Sequence, residues 1–258
     1  SEIDILSNQD WTFPTTTYYG PGRFNEIGKF CQEFEIKNPL IVTDSGSKDL
    51  PFINKLKTLL SKNNIKSEVF YDISPNPRDD EISKGCDQFR SGKHDAIIAI
   101  GGGSAMDGGK SICLTVNSDT PLWDFEFEQP VPEITKENAF PKIITIPTTS
   151  GTGAETEITA MVTHLEKGMK FCIWHPDVRP IFTVVDPELT LELPPKLTAW
   201  TGVDAMVHSI EGYCVPGFNP LCDGAALESL NLISKSLVLA VEEPSNLLAR
   251  GGMICLLY

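Results

Sequence analysis

Ala96-Ile-Ile-Ala-Ile-Gly-Gly-Gly-Ser-Ala-Met-Asp-Gly-Gly-Lys-Ser-Ile-Cys-Leu114 is the stretch that decides the fold. Its first five residues are apolar without alternation, the pattern of a strand buried on both faces of a parallel sheet. Gly101-Gly-Gly-Ser104 follows at once, and the residues to about Leu114 read as a helix. Such a turn sets backbone N–H groups at a helix N-terminus, where they can face a phosphate, and glycines let the ligand come close. A merely tight strand–helix turn has the same composition. Two common phosphate loops do not fit: a Walker A loop needs Gly where Ser104 stands, and Gly-x-Gly-x-x-Gly needs Gly where Met106 stands. Asp107 would repel a triphosphate unless it caps the loop's own N–H groups, and Lys110 is spaced to pair with it across the first helical turn.

The same event recurs downstream. Lys142-Ile-Ile-Thr-Ile146 reads as a strand running into Pro147-Thr-Thr-Ser-Gly-Thr-Gly153. This second turn, from Thr145 to Glu155, gathers hydroxyl donors and glycines before what reads as a helix start with an early Glu. Upstream, Pro39–Thr43 and Ser67–Tyr71 read as strands, the latter stopped by the prolines of Asp72–Pro77. Ile53, Leu56, Leu59 and Leu60, and then Ile82, Cys86 and Phe89, fall at helical spacing; Ile181–Val185 is a further strand. The order predicts an α/β fold: a mostly parallel, Rossmann-like sheet with helices on both faces. After Val185 no good strand follows, whereas Leu197–Tyr213 and Asp223–Val241 read as helices. Residues 1–187 are therefore expected to form a dinucleotide-binding domain and 188–258 the start of an all-helical, metal-binding one. The latter is small for a self-sufficient core and stops in the apolar Leu256-Leu-Tyr258, so it reads as truncated.

Composition narrows the partners. With 21 Lys+Arg against 35 Asp+Glu in 258 residues, the net charge of −14 is a poor footprint for nucleic acid. No stretch approaches the roughly 18 consecutive apolar residues of a membrane span, and the first residues show no signal-peptide pattern. The seven cysteines are scattered without a Cys-x-x-Cys pair, and read as buried thiols of a reducing cytoplasm.

Two acidic positions invite a ligand. Asp44 ends the first strand, where a carboxylate can accept from a ribose diol and disfavour a 2′-phosphate; it also suits the opening of a plain turn before Ser-Gly. Asp204 and His208 stand four residues apart in a helical segment, so both project from one face. A carboxylate and an imidazole so placed can share a divalent cation, and the same spacing serves an ordinary surface pair.

Three motifs in order carry a resemblance: Gly101-Gly-Gly-Ser-Ala-Met-Asp-Gly-Gly-Lys110, Ile146-Pro-Thr-Thr-Ser-Gly-Thr-Gly-Ala-Glu155, and Gly202-Val-Asp-Ala-Met-Val-His-Ser-Ile-Glu-Gly-Tyr213 with Asn219-Pro220 after it. Together they resemble the iron-containing (group III) alcohol dehydrogenases, over about Phe13 to Leu239. The resemblance implies a two-domain enzyme whose active site lies in the interdomain cleft. It implies that Asp44 reads the adenosine ribose of NAD, that Gly102, Gly103 and Ser104 hold the pyrophosphate, and that Asp107, Thr145, Thr148, Thr149 and Ser150 line the cofactor cleft. Lys170 would reach a cofactor hydroxyl, and Asp204 and His208 would be the first two metal ligands, for Fe2+ or Zn2+.

The family takes two further histidine ligands from later helices. The other histidines here, His94, His164 and His175, all precede His208; His94 reads as a surface turn, and the other two as parts of a hairpin. The chain therefore resembles a dehydrogenase lacking its later C-terminal helices, with poor or no turnover expected of it as it stands. The expected activity is hydride transfer between NAD and a primary alcohol/aldehyde pair, in a cytoplasmic homo-oligomer, a homodimer, with no nucleic-acid or membrane partner. A polyol dehydrogenase, a dehydroquinate-synthase-like enzyme and a non-catalytic NAD-binding fragment are the competing readings.

Overall fold

The computed structural model describes residues 15–255; the readings that touch Phe13, the first residues and Leu256–Tyr258 lie outside them. The chain divides into two compact units. One holds Thr15–Thr148 and Ala154–Val185; the other holds, of the described residues, 186–255 together with Thr149–Gly153.

The first unit is built on a six-stranded sheet. Its strands are β1 (Thr17–Tyr19), β2 (Pro39–Asp44), β3 (Glu68–Ile73), β4 (Ala96–Gly101), β5 (Lys142–Pro147) and, after the hairpin β6 (Thr159–His164) and β7 (Met169–Trp174), β8 (Phe182–Val185). The order across the sheet is β1-β8-β5-β4-β2-β3 and every pairing is parallel; β6 and β7 form a separate antiparallel pair. The connecting helices are α1 (Ile27–Glu33), α2 (Pro51–Lys62), α3 (Asp79–Ser91) and α4 (Gly103–Thr115).

The chain moves outward from β2 to β3 and back across the sheet from β3 to β4 and β5. Right-handed crossovers then put α1 and α2 on one face and α3 and α4 on the other. Burial agrees: Leu40, Val42, Ile97 and Ile143 share one core with Ile82, Cys86 and Phe89 of α3 and Ile112 of α4. The alternate residues Ile41, Ile98 and Ile144 are also buried, as a sheet covered on both faces requires. The sheet's direction of growth reverses between β2 and β4, where an open α/β sheet has its crevice.

Several local expectations change. Strand β3 runs on through Asp72 to Ile73 before the prolines end it, because Ile73 is buried beneath α4. No helix follows β5: residues 148–158 form turns, with Gly153 at φ 66°. His94 is not a surface residue but buried, its Nδ1 3.0 Å from the Asn38 carbonyl and its Nε2 3.5 Å from Glu68. Cys31, Cys86 and Cys113 are buried, but Cys214 is exposed; all seven thiols are free.

The second unit is helical: α5 (Pro195–Cys214), α6 (Pro220–Glu242) and α7 (Leu247–Ile254). Helix α6 packs on both others, burying Ala226, Ile233 and Ala240 with Ala205 of α5 and Met253 of α7. By length and composition alone α6 could cross a membrane, with a mean hydropathy of 1.3. Arg250 is fully buried, and its guanidinium donates to Thr198 Oγ1 and to the carbonyls of Leu193 and Pro244, tying α7 to the start of α5. Helix α5 leaves Trp200, Val203, Val207 and Ile210 exposed, a stripe at helical spacing.

Candidate functional site

In the α/β unit the ends of β2 and β4 meet at the crevice. Gly101 closes β4 with φ 141°, a conformation few side chains tolerate. A Cβ there would lie 2.9 Å from Ala105 Cβ, 3.1 Å from Asp44 Oδ2 and 3.4 Å from Thr43 Oγ1. The end of β2 therefore brings Asp44 directly beside the glycine turn, half-buried, with Ser47 Oγ donating to Oδ2 at 2.8 Å.

Helix α4 begins immediately after. Gly102 is its N-cap and no side chain caps it. The Gly102 carbonyl accepts from the amides of Ala105 and Met106, at 3.1 and 3.2 Å, which leaves the amides of Gly103 and Ser104 at the open helix end. A helix N-terminus that no side chain caps suits a phosphate diester. The residues present thus fit a dinucleotide. The Ser104 hydroxyl donates to the Pro75 carbonyl at 2.7 Å, which leaves its amide as the group that can face a ligand.

One turn further, Asp107 sits half-buried. Burial pushes its carboxyl up to about 6, against the opposing pull of Lys110 and a hydrogen bond from the Met161 amide. The expected Asp107–Lys110 ion pair does not form. Lys110 is fully buried and its Nζ donates to three carbonyls instead: Ala154 at 2.7 Å, Thr159 at 2.7 Å and Glu157 at 3.3 Å. Three acceptors for three N–H bonds is the full complement of an ammonium. Burial lowers the lysine's pKa while the neighbouring Asp107, Glu157 and Glu155 raise it. This clamp was not legible from spacing, which offered only a carboxylate partner.

The second turn is fastened at both ends. Thr148 N donates to the Gly101 carbonyl at 2.9 Å, and Thr145 Oγ1 donates to the Glu155 carbonyl at 2.6 Å. Thr145 is wholly buried, and its donated bond shapes the loop. Thr148 and Ser150 are buried and Thr149 half-buried. Glu155 is buried too, and burial pushes its carboxyl up to about 7. Lys170 stands exposed on β7, where it lines a groove of about 450 Å³ with Ser74, Pro75, Asn76 and Arg78. That groove includes the loop that Ser104 binds through Pro75.

In the helical unit, α5 sets Asp204 and His208 on one face, with Oδ2 and Nδ1 3.6 Å apart and both side chains nearly half exposed. His208 Nδ1 is also 3.4 Å from the Gly151 carbonyl. A hard oxygen and an imidazole nitrogen suit a divalent first-row ion. They make part of a set only: among the described residues no three His, Cys, Asp or Glu side chains gather as a metal-binding group. His94, His164 and His175 are engaged elsewhere, with Asn38, with a Trp123 stack at 4.6 Å and with the Pro132 carbonyl.

Comparison with known proteins follows this geometry. The family model for iron-containing alcohol dehydrogenase matches residues 14–187, and that for the C-terminal part of the same family matches 198–256. The 1,3-propanediol dehydrogenase of Citrobacter freundii is 33% identical over 246 residues, covering 95% of this chain and 62% of its own. A crystal structure of 1,3-propanediol oxidoreductase superposes with a TM-score of 0.90 at 32% identity, over 96% of this chain and 64% of the other. Sulfoacetaldehyde reductase from Bifidobacterium kashiwanohense, solved in complex with NAD+, gives a TM-score of 0.88 at 32% identity, over the same shares. The chain spans 62% of the length of the Citrobacter freundii relative and of the 1,3-propanediol dehydrogenase of Klebsiella pneumoniae.

Proposed function

The chain belongs to the iron-containing alcohol dehydrogenase family, and from that premise we propose that it serves a metal-dependent oxidoreductase moving a hydride between NAD and a primary alcohol/aldehyde pair. The observation that carries this reading is the uncapped start of α4 beside Asp44, at the point where the sheet reverses its growth. The amides of Gly103 and Ser104 bind the pyrophosphate, and Asp44 accepts from the adenosine ribose. Lys110 holds the loop after Gly153 in place, and Lys170, which lines the groove beside Ser74 and Pro75, would reach a cofactor hydroxyl.

Asp204 and His208 are proposed as the part of the metal site this chain provides. When bound, the ion and NAD supply Lewis acidity toward the alcohol oxygen and hydride acceptance, respectively. The chain's own part is to orient these groups and to hold the two donors on one rigid helical face. Two protein donors leave most of a coordination sphere to water, so a divalent ion is held weakly by this chain alone. A cytoplasmic homo-oligomer without nucleic-acid or membrane partners completes the proposal, supported by the net charge of −14 for the first of those exclusions.

Titrating NADH by fluorescence and assaying butanol or propane-1,2-diol oxidation with added Fe2+ tests the reading. NADH binding with slow or undetectable turnover is expected of this chain. A chain that leaves NADH fluorescence unchanged at millimolar concentration contradicts the reading.

A further inference from the structure

The tip of the Thr149–Gly153 segment meets α5 backbone to backbone. A Cβ placed on Gly151 would overlap the Thr201 carbonyl oxygen and stand 2.8 Å from the carbonyl carbon and 2.9 Å from Thr201 Cβ. Only glycine lets the segment come this close. The approach has a chemical result: the Gly151 carbonyl oxygen lies 3.4 Å from His208 Nδ1. A carbonyl only accepts, so this contact is a hydrogen bond when the proton is on Nδ1. The lone pair of the neutral ring is then on Nε2.

We propose that Gly151 is a positioning residue for His208: its carbonyl holds the imidazole as the Nδ1–H tautomer, which leaves the ring's lone pair on Nε2 as the metal donor. The proposal deepens the reading of Asp204 and His208 as metal residues and rests on it. Second partners of ligating histidines act in this way, by fixing tautomer and ring orientation. The Asp204 carboxylate is the competing acceptor, with Oδ2 3.6 Å from the same nitrogen. Gly151 differs from it in being held by backbone on both sides. Its position is set by the backbone approach of Gly151 to Thr201, which a rotamer change cannot alter.

Nitrogen-15 NMR of the histidine rings in metal-free chain at about pH 8 reads the tautomer directly, with His208→Gln identifying the resonance. The unmodified chain and Asp204→Ala should both show His208 protonated on Nδ1. Gly151→Ala should shift it toward the Nε2–H form that free histidine favours. Unchanged circular dichroism and amide dispersion in Gly151→Ala are required beside this shift, because an unfolded chain would show the Nε2–H form as well. An Nε2–H ring in the unmodified chain overturns the proposal even if Gly151→Ala does not fold, as does a switch caused by Asp204→Ala. Zn2+ titration followed on the same resonances separates the two layers of the argument. Weakening by about tenfold or more in Gly151→Ala supports the positioning role. No response of His208 to Zn2+ in the unmodified chain sinks the reading of the pair as ligands, and the metal-orienting role of Gly151 with it, whatever the tautomer.

Discussion

Gly101 shows how a single missing Cβ sets the site. Its positive φ and its contacts with Ala105 and Asp44 leave no room for a side chain. Gly101→Ala should therefore destabilise the chain by about 1–3 kcal/mol and weaken NADH binding, checked by urea denaturation and fluorescence titration. A fully stable variant with unchanged affinity would remove the strain argument. Glu155 gives a pH-dependent counterpart. Its folded pKa, pushed up to about 7 by burial, lies above the ordinary value of 4.5. Its contribution to stability is whole below that ordinary value and is lost as pH rises through about 7. Glu155→Gln should thus gain on the unmodified chain between about pH 5 and pH 8, by on the order of 2–3 kcal/mol in unfolding free energy. A difference that does not change with pH would contradict the burial argument. Asp44 was legible in the sequence because an acid at a strand's end has few roles. The burial of Glu155 was not legible, because an early Glu after a turn reads equally well as a helix cap.

Among the elements, α4 does the most. It presents an open N-terminus on one side and Lys110 on the other, and Lys110 replaces the helix that the sequence suggested after the second turn. The turn chemistry of Ile146–Glu155 resembled the first glycine turn, but the carbonyls that follow it are claimed by Lys110 and Thr145 before a helix can begin. Strands β2, β4 and β5 and helices α2 to α6 were readable from periodicity, since each buries one stripe or two faces. The short edge strand β1 and helix α7 were not, because a three-residue strand has no period and α7 is only eight residues long. Lys110→Met should leave three carbonyls without their donor, that of Ala154 buried and those of Glu157 and Thr159 half-buried. The expected cost is about 3 kcal/mol or more, with faster amide exchange confined to residues around 154–159. A change within about 0.5 kcal/mol, the usual range of a surface substitution, would make Lys110 a passenger.

At the scale of the molecule, the chain is two units whose roles differ in kind. The parallel sheet, with its reversal between β2 and β4, is a scaffold whose ligand position follows from topology alone. The helical unit supplies Asp204 and His208 but no third donor among the described residues. The i, i+4 spacing foretold the shared face of that pair; the approach of Gly151 to it was invisible because it joins segments some fifty residues apart. If Asp44 and the open end of α4 form an NAD site, the chain must discriminate between the two nicotinamide cofactors. Calorimetric titration of the unmodified chain and of Asp44→Ala with NADH and NADPH should show NADH bound at least about tenfold more tightly by the unmodified chain, the gap narrowing in the variant. Equal affinity for the two cofactors in the unmodified chain, or no binding of either, would contradict it.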